Sequence, residues 1–250
     1  MKDYLEAEYC DDFNINRYYL PKHQETIFNN IIAEKKVEKA MREEFGIEYL
    51  NTTLLYGVSG TGKTTFGRYM AYKLDLDFVY VNYAKLIGGV LGNTAGKVSD
   101  IFRFMADIEC IFMLDEIDYI SQKRGTESEV TGGELGRLTT TLMQELDYFK
   151  KHKVKAIVLS ATNRKDTMDP ALLSRFAVSY ELKALNNQEK EQYIIKYLTD
   201  VGVEFDRMNV KQYCAGNVML NQRNIESDMN RCLAEYIRNG HKDYKLYHIN

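Results

Sequence analysis

Short apolar runs alternate with stretches of helical periodicity along the chain as far as Leu182. Five of these runs are continuous in residues suited to strands buried on both faces, which is typical of parallel sheets. They are Thr52 to Tyr56, Phe78 to Asn82, Cys110 to Leu114, Ala156 to Ala161 and Val178 to Leu182. Between them, Lys63 to Leu74 and Val98 to Met105 place apolar side chains on one helical face. The alternation predicts an α/β fold with a doubly wound sheet.

Beyond Leu182 the pattern is helical only. The predicted helices are Gln188 to Thr199, a short segment around Val210 to Cys214, and Arg223 to Arg238, which has a broad apolar stripe. We therefore expect two domains. Residues 1–182 form an N-terminal arm and an α/β domain, and residues 183–250 form a small all-helical domain.

Composition narrows the class of protein. A chain of 250 residues with 45% hydrophobic content is long enough for one α/β domain and a small satellite. The net charge of -3 gives no global basic field, so a nucleic-acid contact would need a local patch. No segment approaches the ~20 apolar residues that span a bilayer, and the start is acidic rather than basic and apolar. We expect a cytoplasmic protein without a membrane partner.

A glycine-rich segment lies between the first apolar strand and an amphipathic helix. It comprises Gly57, Val58, Ser59, Gly60, Thr61, Gly62, Lys63, Thr64 and Thr65, and it matches the P-loop pattern. The glycines allow backbone N–H groups to surround phosphates, and the helix N-terminus favours the same anion. Lys63 is expected to reach the β- and γ-phosphates, and the Thr64 hydroxyl to ligate Mg²⁺. The segment predicts a nucleotide site for ATP and Mg²⁺.

Two carboxylates follow the apolar strand Cys110 to Leu114. Their position places Asp115 and Glu116 at the carboxyl edge of the sheet, beside the phosphate loop. Asp115 would hold Mg²⁺, mostly through water, and Glu116 would polarise the water that attacks the γ-phosphate. An acidic pair alone also fits a solvated loop, but its combination with a P-loop favours catalysis.

Two more polar residues lie near the ends of later strands. Asn163 follows the strand Ala156 to Ala161, and it would orient water or sense the γ-phosphate, or else serve as a plain turn residue. Arg175 follows a short helix that starts at Pro170. An exposed arginine there is suited to stabilising transition-state charge in a neighbouring subunit.

Taken together, these segments closely resemble the AAA family of P-loop ATPases, from about Tyr18 to Tyr236. Gly57 to Thr64 is similar to Walker A, Ile111 to Glu116 to Walker B, Asn163 to sensor 1 and Arg175 to the arginine finger that acts in trans. The resemblance implies a parallel five-stranded sheet in the order 5-1-4-3-2 and a helical lid. In that lid, Arg223 stands where many relatives carry a sensor-2 arginine, although it also fits a solvated residue at a helix start.

The sequence departs from the family pattern at two places. Leu173 to Phe176 carries one arginine where the family often has two. Gly88 to Gly92 occupies the position of the first pore loop, with Val90 where substrate-threading members present an aromatic residue. Val90 offers less contact area for gripping a peptide, and a plain glycine-rich loop is the alternative.

The resemblance implies a homo-oligomeric ring, such as a hexamer, that remodels, unfolds or disassembles a protein substrate, with an adaptor or protease as a further partner. The alternative is a nucleic-acid motor or loader, which would need a basic stripe. Its candidates are Lys85, Lys97, Lys123, Arg124 and Arg137. Only residues 1–21 precede the first long predicted helix, Lys22 to Phe45, so we expect specificity to come from a partner, the lid or the segment Asp11 to Tyr19.

Overall fold

The computed structural model describes residues 4–81, 94–120, 129–152, 154–216 and 220–248, without the side chains of 129–134. The chain divides into two compact units. The first comprises Met1–Phe13, Thr26–Gly57 and Lys63–Glu181, and the second comprises Asn14–Glu25, Val58–Gly62 and Leu182–Asn250. No helix within the described ranges is both long enough and apolar enough to cross a membrane.

Strands and helices alternate through the first unit and give way to helices in the second. The strands are β1 (Leu5–Glu8), β2 (Thr53–Tyr56), β3 (Asp77–Val81), β4 (Cys110–Leu114), β5 (Ile157–Thr162) and β6 (Val178–Glu181). The helices are α1 (Lys22–Phe45), α2 (Lys63–Leu74), α3 (Thr94–Met105), α4 (Glu129–Lys151), α5 (Pro170–Leu173), α6 (Asn187–Asp200), α7 (Arg207–Gly216) and α8 (Gln222–Arg238). The predicted α/β fold class is confirmed.

The sheet has the strand order β1-β3-β4-β5-β2-β6. The strands β2 to β6 pair in parallel, and numbered among themselves they follow the implied order 5-1-4-3-2. The expectation of five strands was wrong, because β1 adds a sixth, antiparallel strand beside β3. Its sequence, Leu-Glu-Ala-Glu, contains no apolar run that would predict a strand.

The core of the first unit accounts for the apolar character of the central strands. The edge strand β6 differs from the expectation of burial on both faces, because its residues are partly or fully exposed. Every residue of β4 and β5 is buried. Phe112 of β4 packs against Phe102 of α3 and Phe149 of α4, with ring centroids 5.4 and 6.3 Å away. Helices therefore cover the sheet at these positions, and the strand ends are fixed by a packed interior.

Helix α2 approaches the sheet closely at Gly67. A Cβ atom at Gly67 would lie 2.9 Å from Cε2 of Phe78 on β3, which is shorter than an ordinary van der Waals contact. A glycine is therefore required for this helix to pack at its observed distance from β3.

The second unit has its own core around helices α6, α7 and α8. Ile194, Leu198, Ile225 and Met229 are among its fully buried residues. Helix α6 begins with a capping box, in which Asn186 and Glu189 each bond the other's backbone N–H.

The segment Asn14–Glu25 belongs to the same unit as α6. The Arg17 guanidinium lies 2.7 Å from the Asp200 carboxylate, and Lys196 donates to the Tyr18 carbonyl at 2.6 Å. These contacts hold part of the N-terminal segment against α6.

Candidate functional site

Lys63 is the first residue of α2, and its ammonium lies at the carboxyl ends of two neighbouring strands. It donates to the Gly57 carbonyl, just after β2, at 2.8 Å, and to the Asn163 side-chain oxygen, just after β5, at 2.7 Å. The residue is 7% exposed. Two neutral oxygens are thus among the partners of this buried cation, at a sheet edge where a bound anion would meet it.

Thr64 and Asp115 form the second contact at this edge. The Thr64 hydroxyl donates to Asp115 Oδ2 at 2.5 Å, and the backbone N–H of Glu116 donates to Asp115 Oδ1 at 2.9 Å. Both carboxylate oxygens are therefore oriented. A hydroxyl and a carboxylate side by side are the hard oxygen ligands that suit Mg²⁺, so this pair fits the predicted ion. Thr65, the next residue, is exposed.

Glu116 adopts a backbone conformation that is rare for its residue type. Its φ of 52° and ψ of 39° lie in the left-handed region, and its side chain is exposed. Such a conformation costs roughly 1–2 kcal/mol in a residue with a Cβ atom. Ile117, fully buried in the following 3₁₀ turn Ile117–Tyr119, fixes the chain immediately after it. The strained residue Glu116 therefore presents a solvent-accessible carboxylate directly after Asp115.

The glycine-rich loop Val58–Gly62 belongs to the second unit. Gly60 and Gly62 have φ of 79° and 83°, so this loop conformation requires glycine at both positions. The Thr61 hydroxyl donates to the Val58 carbonyl at 3.0 Å and closes the turn. Gly57, just before the loop, also has a positive φ, of 147°.

The start of α8 lies against this loop. Asn221 caps the helix by accepting from the Asn224 N–H at 2.9 Å, and its Nδ2 donates to the Ser59 carbonyl at 3.1 Å. A Cβ atom at Gly60 would lie 2.6 Å from the Asn221 Cγ. The sequence analysis missed this contact, although an asparagine before a predicted helix is an N-cap signal. Arg223, the sensor-2 candidate, is exposed near the same helix start.

Arg175 has partners within its own chain. One guanidinium nitrogen donates to the Ala171 carbonyl and the Ser174 hydroxyl, each at 3.0 Å, and the other lies 3.3 Å from the Asp147 carboxylate. The side chain is 33% exposed. Arg175 is thus anchored to α4 and α5. Sequence reasoning did not single out Asp147, because nothing distinguishes it from an ordinary exposed carboxylate on a helix.

Several residues of the pore-loop and nucleic-acid hypotheses lie outside the described part of the chain. These are Gly88 to Gly92 with Val90, and Lys85, Lys123 and Arg124. Of the remaining basic candidates, Lys97 donates to the Tyr4 hydroxyl at 2.7 Å and also lies over its ring. Arg137 is exposed on α4.

A family model described as "ATPase family associated with various cellular activities (AAA)" matches residues 53–184, a little over half of the chain. This chain belongs to the AAA family. The matched range contains the site residues described above except those at the start of α8, namely Asn221, Arg223 and Asn224.

Curated relatives of this AAA chain include peroxisomal and proteasomal ATPases. The peroxisomal ATPase PEX6 of Candida glabrata is 31% identical over 62% of the chain and 15% of its own length. The probable 26S proteasome regulatory subunit 10B of Caenorhabditis elegans is 36% identical over 57% of the chain and 36% of its own length. A putative 26S proteasome regulatory subunit homologue of Methanocaldococcus jannaschii is 28% identical over 74% of the chain and 52% of its own length. The AAA chain spans about half or less of the length of these relatives.

One solved structure resembles the chain over nearly its whole length. A chain in the structure of an Escherichia coli MS115-1 HORMA:CdnC:Trip13 complex matches with a TM-score of 0.70 and 17% identity. The match covers 97% of this chain and 90% of the other. At this identity the comparison supports a shared AAA fold.

Proposed function

We propose that this AAA chain hydrolyses ATP to ADP and phosphate with Mg²⁺, and that it uses the reaction to remodel, unfold or disassemble a protein substrate. One observation carries the proposal. Lys63 bonds Asn163, and Thr64 bonds Asp115, at the carboxyl ends of the neighbouring strands β4, β5 and β2. A buried cation and a hydroxyl–carboxylate pair at one sheet edge suit a triphosphate and its metal ion.

The phosphates would be bound by the backbone N–H groups of Val58–Gly62, by the N-terminus of α2 and by Lys63. Mg²⁺ would be held by Thr64 and Asp115, and when bound it neutralises charge on phosphate oxygens. Lys63 already lies between the ends of β2 and β5, so it meets the phosphates without a large side-chain movement.

Hydrolysis requires a base for the attacking water. Glu116 presents an exposed carboxylate at the end of β4 and would accept the water proton. Asn163 would orient the same water through its amide. Arg175 would stabilise transition-state charge in a neighbouring subunit, and Arg223 would contact the γ-phosphate from the lid.

The proposed action of Arg175 in trans requires a homo-oligomer, and we propose that it is a ring of six subunits. A polypeptide substrate is the proposal's first choice, because relatives of the chain are named as proteasome regulatory subunits and a peroxisomal ATPase. An adaptor partner would then supply substrate specificity, or a protease partner would degrade the unfolded polypeptide.

The test combines one variant with two classes of ligand. Glu116→Gln keeps the side-chain shape but removes the base, so it should bind ATP and fail to turn it over. Turnover by Glu116→Gln at the parent's rate would refute the assigned base. The parent's ATPase should be stimulated by an unfolded polypeptide and not by single-stranded DNA. The reverse pattern would favour the nucleic-acid alternative, and Glu116→Gln should also retain the substrate in a pull-down.

A further inference from the structure

A carboxylate of strand β1 forms an ion pair with an arginine of α2, the helix that follows the phosphate loop and is called the phosphate-loop helix below. Glu8 accepts two hydrogen bonds from Arg68 of α2, at 2.6 Å from Nε and 2.7 Å from Nη2. This bidentate geometry fixes the guanidinium plane as well as its position. Arg68 also lies over the Phe78 ring, with its central carbon 5.3 Å from the ring centroid.

Arg68 lies one helical turn after Thr64, which bonds Asp115. Side chains four residues apart on a helix share a face, so Arg68 and Thr64 project from α2 in the same direction. The hydrogen bonds that Arg68 donates to Glu8 are the largest cause that raises the pKa of Arg68, and the negative charge of Asp115 contributes in the same direction. The guanidinium therefore lies within electrostatic reach of both carboxylates.

We propose that Glu8 is a positioning residue for the metal-binding carboxylate: it holds the Arg68 guanidinium and so keeps this cation from pairing with Asp115. The inference rests on the proposed ATPase function and deepens it. Arg68 and Mg²⁺ both bind carboxylate oxygens, so the two cations would compete for Asp115. With Glu8 in place, the oxygens of Asp115 remain directed to Thr64 and to the Glu116 N–H.

Strand β1 is held to the sheet by contacts that do not involve the Glu8 side chain. All four residues of β1 are paired with β3. The Tyr80 hydroxyl donates to Glu6, and the Tyr4 hydroxyl accepts from Lys97. Loss of the Glu8 charge alone should therefore leave β1 on the sheet. Glu6 is a matched control, because it is a carboxylate on the same strand that bonds a phenol.

The experiment measures binding of a fluorescently labelled ADP in Mg²⁺ and in EDTA. The ratio of the two affinities reports the metal contribution, to which Asp115 belongs. We expect Glu8→Gln to lower this ratio by about threefold or more, the size of a partly exposed ion pair. Its affinity in EDTA should stay at the parent's value. Glu6→Gln should leave both affinities unchanged.

The arginine variants separate a charge effect from a structural one. Arg68→Gln should keep the parent's ratio or raise it, because the competing cation is gone. The double variant Glu8→Gln/Arg68→Gln should regain the parent's ratio. An Arg68→Gln variant as impaired as Glu8→Gln would mean that the pair only holds β1 in place, and the proposal would be overturned. An unchanged ratio in Glu8→Gln would overturn it as well.

These outcomes are distinct from a failure of the proposed function. If the parent protein binds the labelled ADP more tightly in Mg²⁺ but Glu8→Gln does too, only the role of Glu8 is lost. If the parent shows no binding, or none that depends on Mg²⁺, the proposed nucleotide site itself is wrong, and the role of Glu8 is overturned with it.

Discussion

The Lys63 ammonium donates a 2.7 Å hydrogen bond to the Asn163 side-chain oxygen, across 100 positions of sequence. This bond leads to a first prediction, which concerns substitutions of Asn163. Asn163→Ala should lower kcat by about 10²-fold, because a group that orients water is lost while Lys63 remains available to phosphate. Asn163→Asp should also weaken ATP binding about tenfold, since the new carboxylate would form an ion pair with Lys63.

Steady-state hydrolysis and equilibrium binding of ATP to both variants would check this prediction. The informative comparison is between the two substitutions. Equal ATP affinities for Asn163→Ala and Asn163→Asp would show that the Lys63 contact does not persist in the working enzyme.

The left-handed backbone of Glu116 predicts that replacing this residue by glycine stabilises the fold, although the proposed base is lost. Glu116→Gly should raise the free energy of unfolding by up to about 1 kcal/mol, because relief of the strain exceeds the entropy cost of glycine. Glu116→Gln keeps the strain and should leave stability unchanged. Denaturant unfolding of both nucleotide-free variants measures the difference. A glycine variant less stable than the glutamine variant would argue against strain at this position.

Arg175 predicts complementation between subunits. Arg175→Ala should lower ATPase activity by about 10³-fold if the guanidinium acts on the neighbour's site. Mixing Arg175→Ala subunits with Glu116→Gln subunits should restore part of it, because some interfaces then combine an intact Glu116 with an intact Arg175. Native mass spectrometry of the mixture would establish that mixed rings form. Mixed rings without recovered activity would exclude action in trans.

His23 predicts a pH dependence of stability. Burial lowers its pKa below the ordinary value of 6.5, with Glu189 opposing and Lys183 assisting, and its Nε2 atom is buried without a hydrogen-bond partner among the described residues. The folded state therefore binds this proton less readily than the unfolded state. Stability should be fully present above pH 6.5 and should fall as the pH drops from there toward the lowered pKa.

Thermal unfolding between pH 7.5 and 5.5 would measure this effect, with His23→Gln as the comparison. The variant should lose less stability than the parent over that pH interval. An identical loss in both proteins would assign the pH dependence to other groups.

The sequence predicts the central parallel strands well because most of their residues are buried on both faces. The runs at Thr52, Cys110 and Ala156 therefore show continuous hydrophobicity, and each strand begins within one residue of its predicted start. Strand β1 could not be predicted in this way. Its Glu6 and Glu8 are held by Tyr80 and Arg68, partners that only the folded chain brings near, so its pattern is not apolar.

The same distinction holds for the candidate site. Residues at strand ends, such as Asp115 and Asn163, could be predicted to share an edge, because parallel strands end at a common edge. The support around them could not. Asp147 beside Arg175 and Asn221 beside Ser59 depend on side chains from helices whose placement no local pattern specifies.

The close fit of Gly67 against Phe78 limits how the phosphate-loop helix can respond to a ligand. Because the Phe78 ring lies directly against Gly67, α2 cannot move toward β3 at this point without displacing that buried ring. A nucleotide that pushed the start of α2 toward β3 would therefore also push on this strand. If subunits assemble into the proposed ring, the packing of α2 against β3 would make this unit move as one rigid piece.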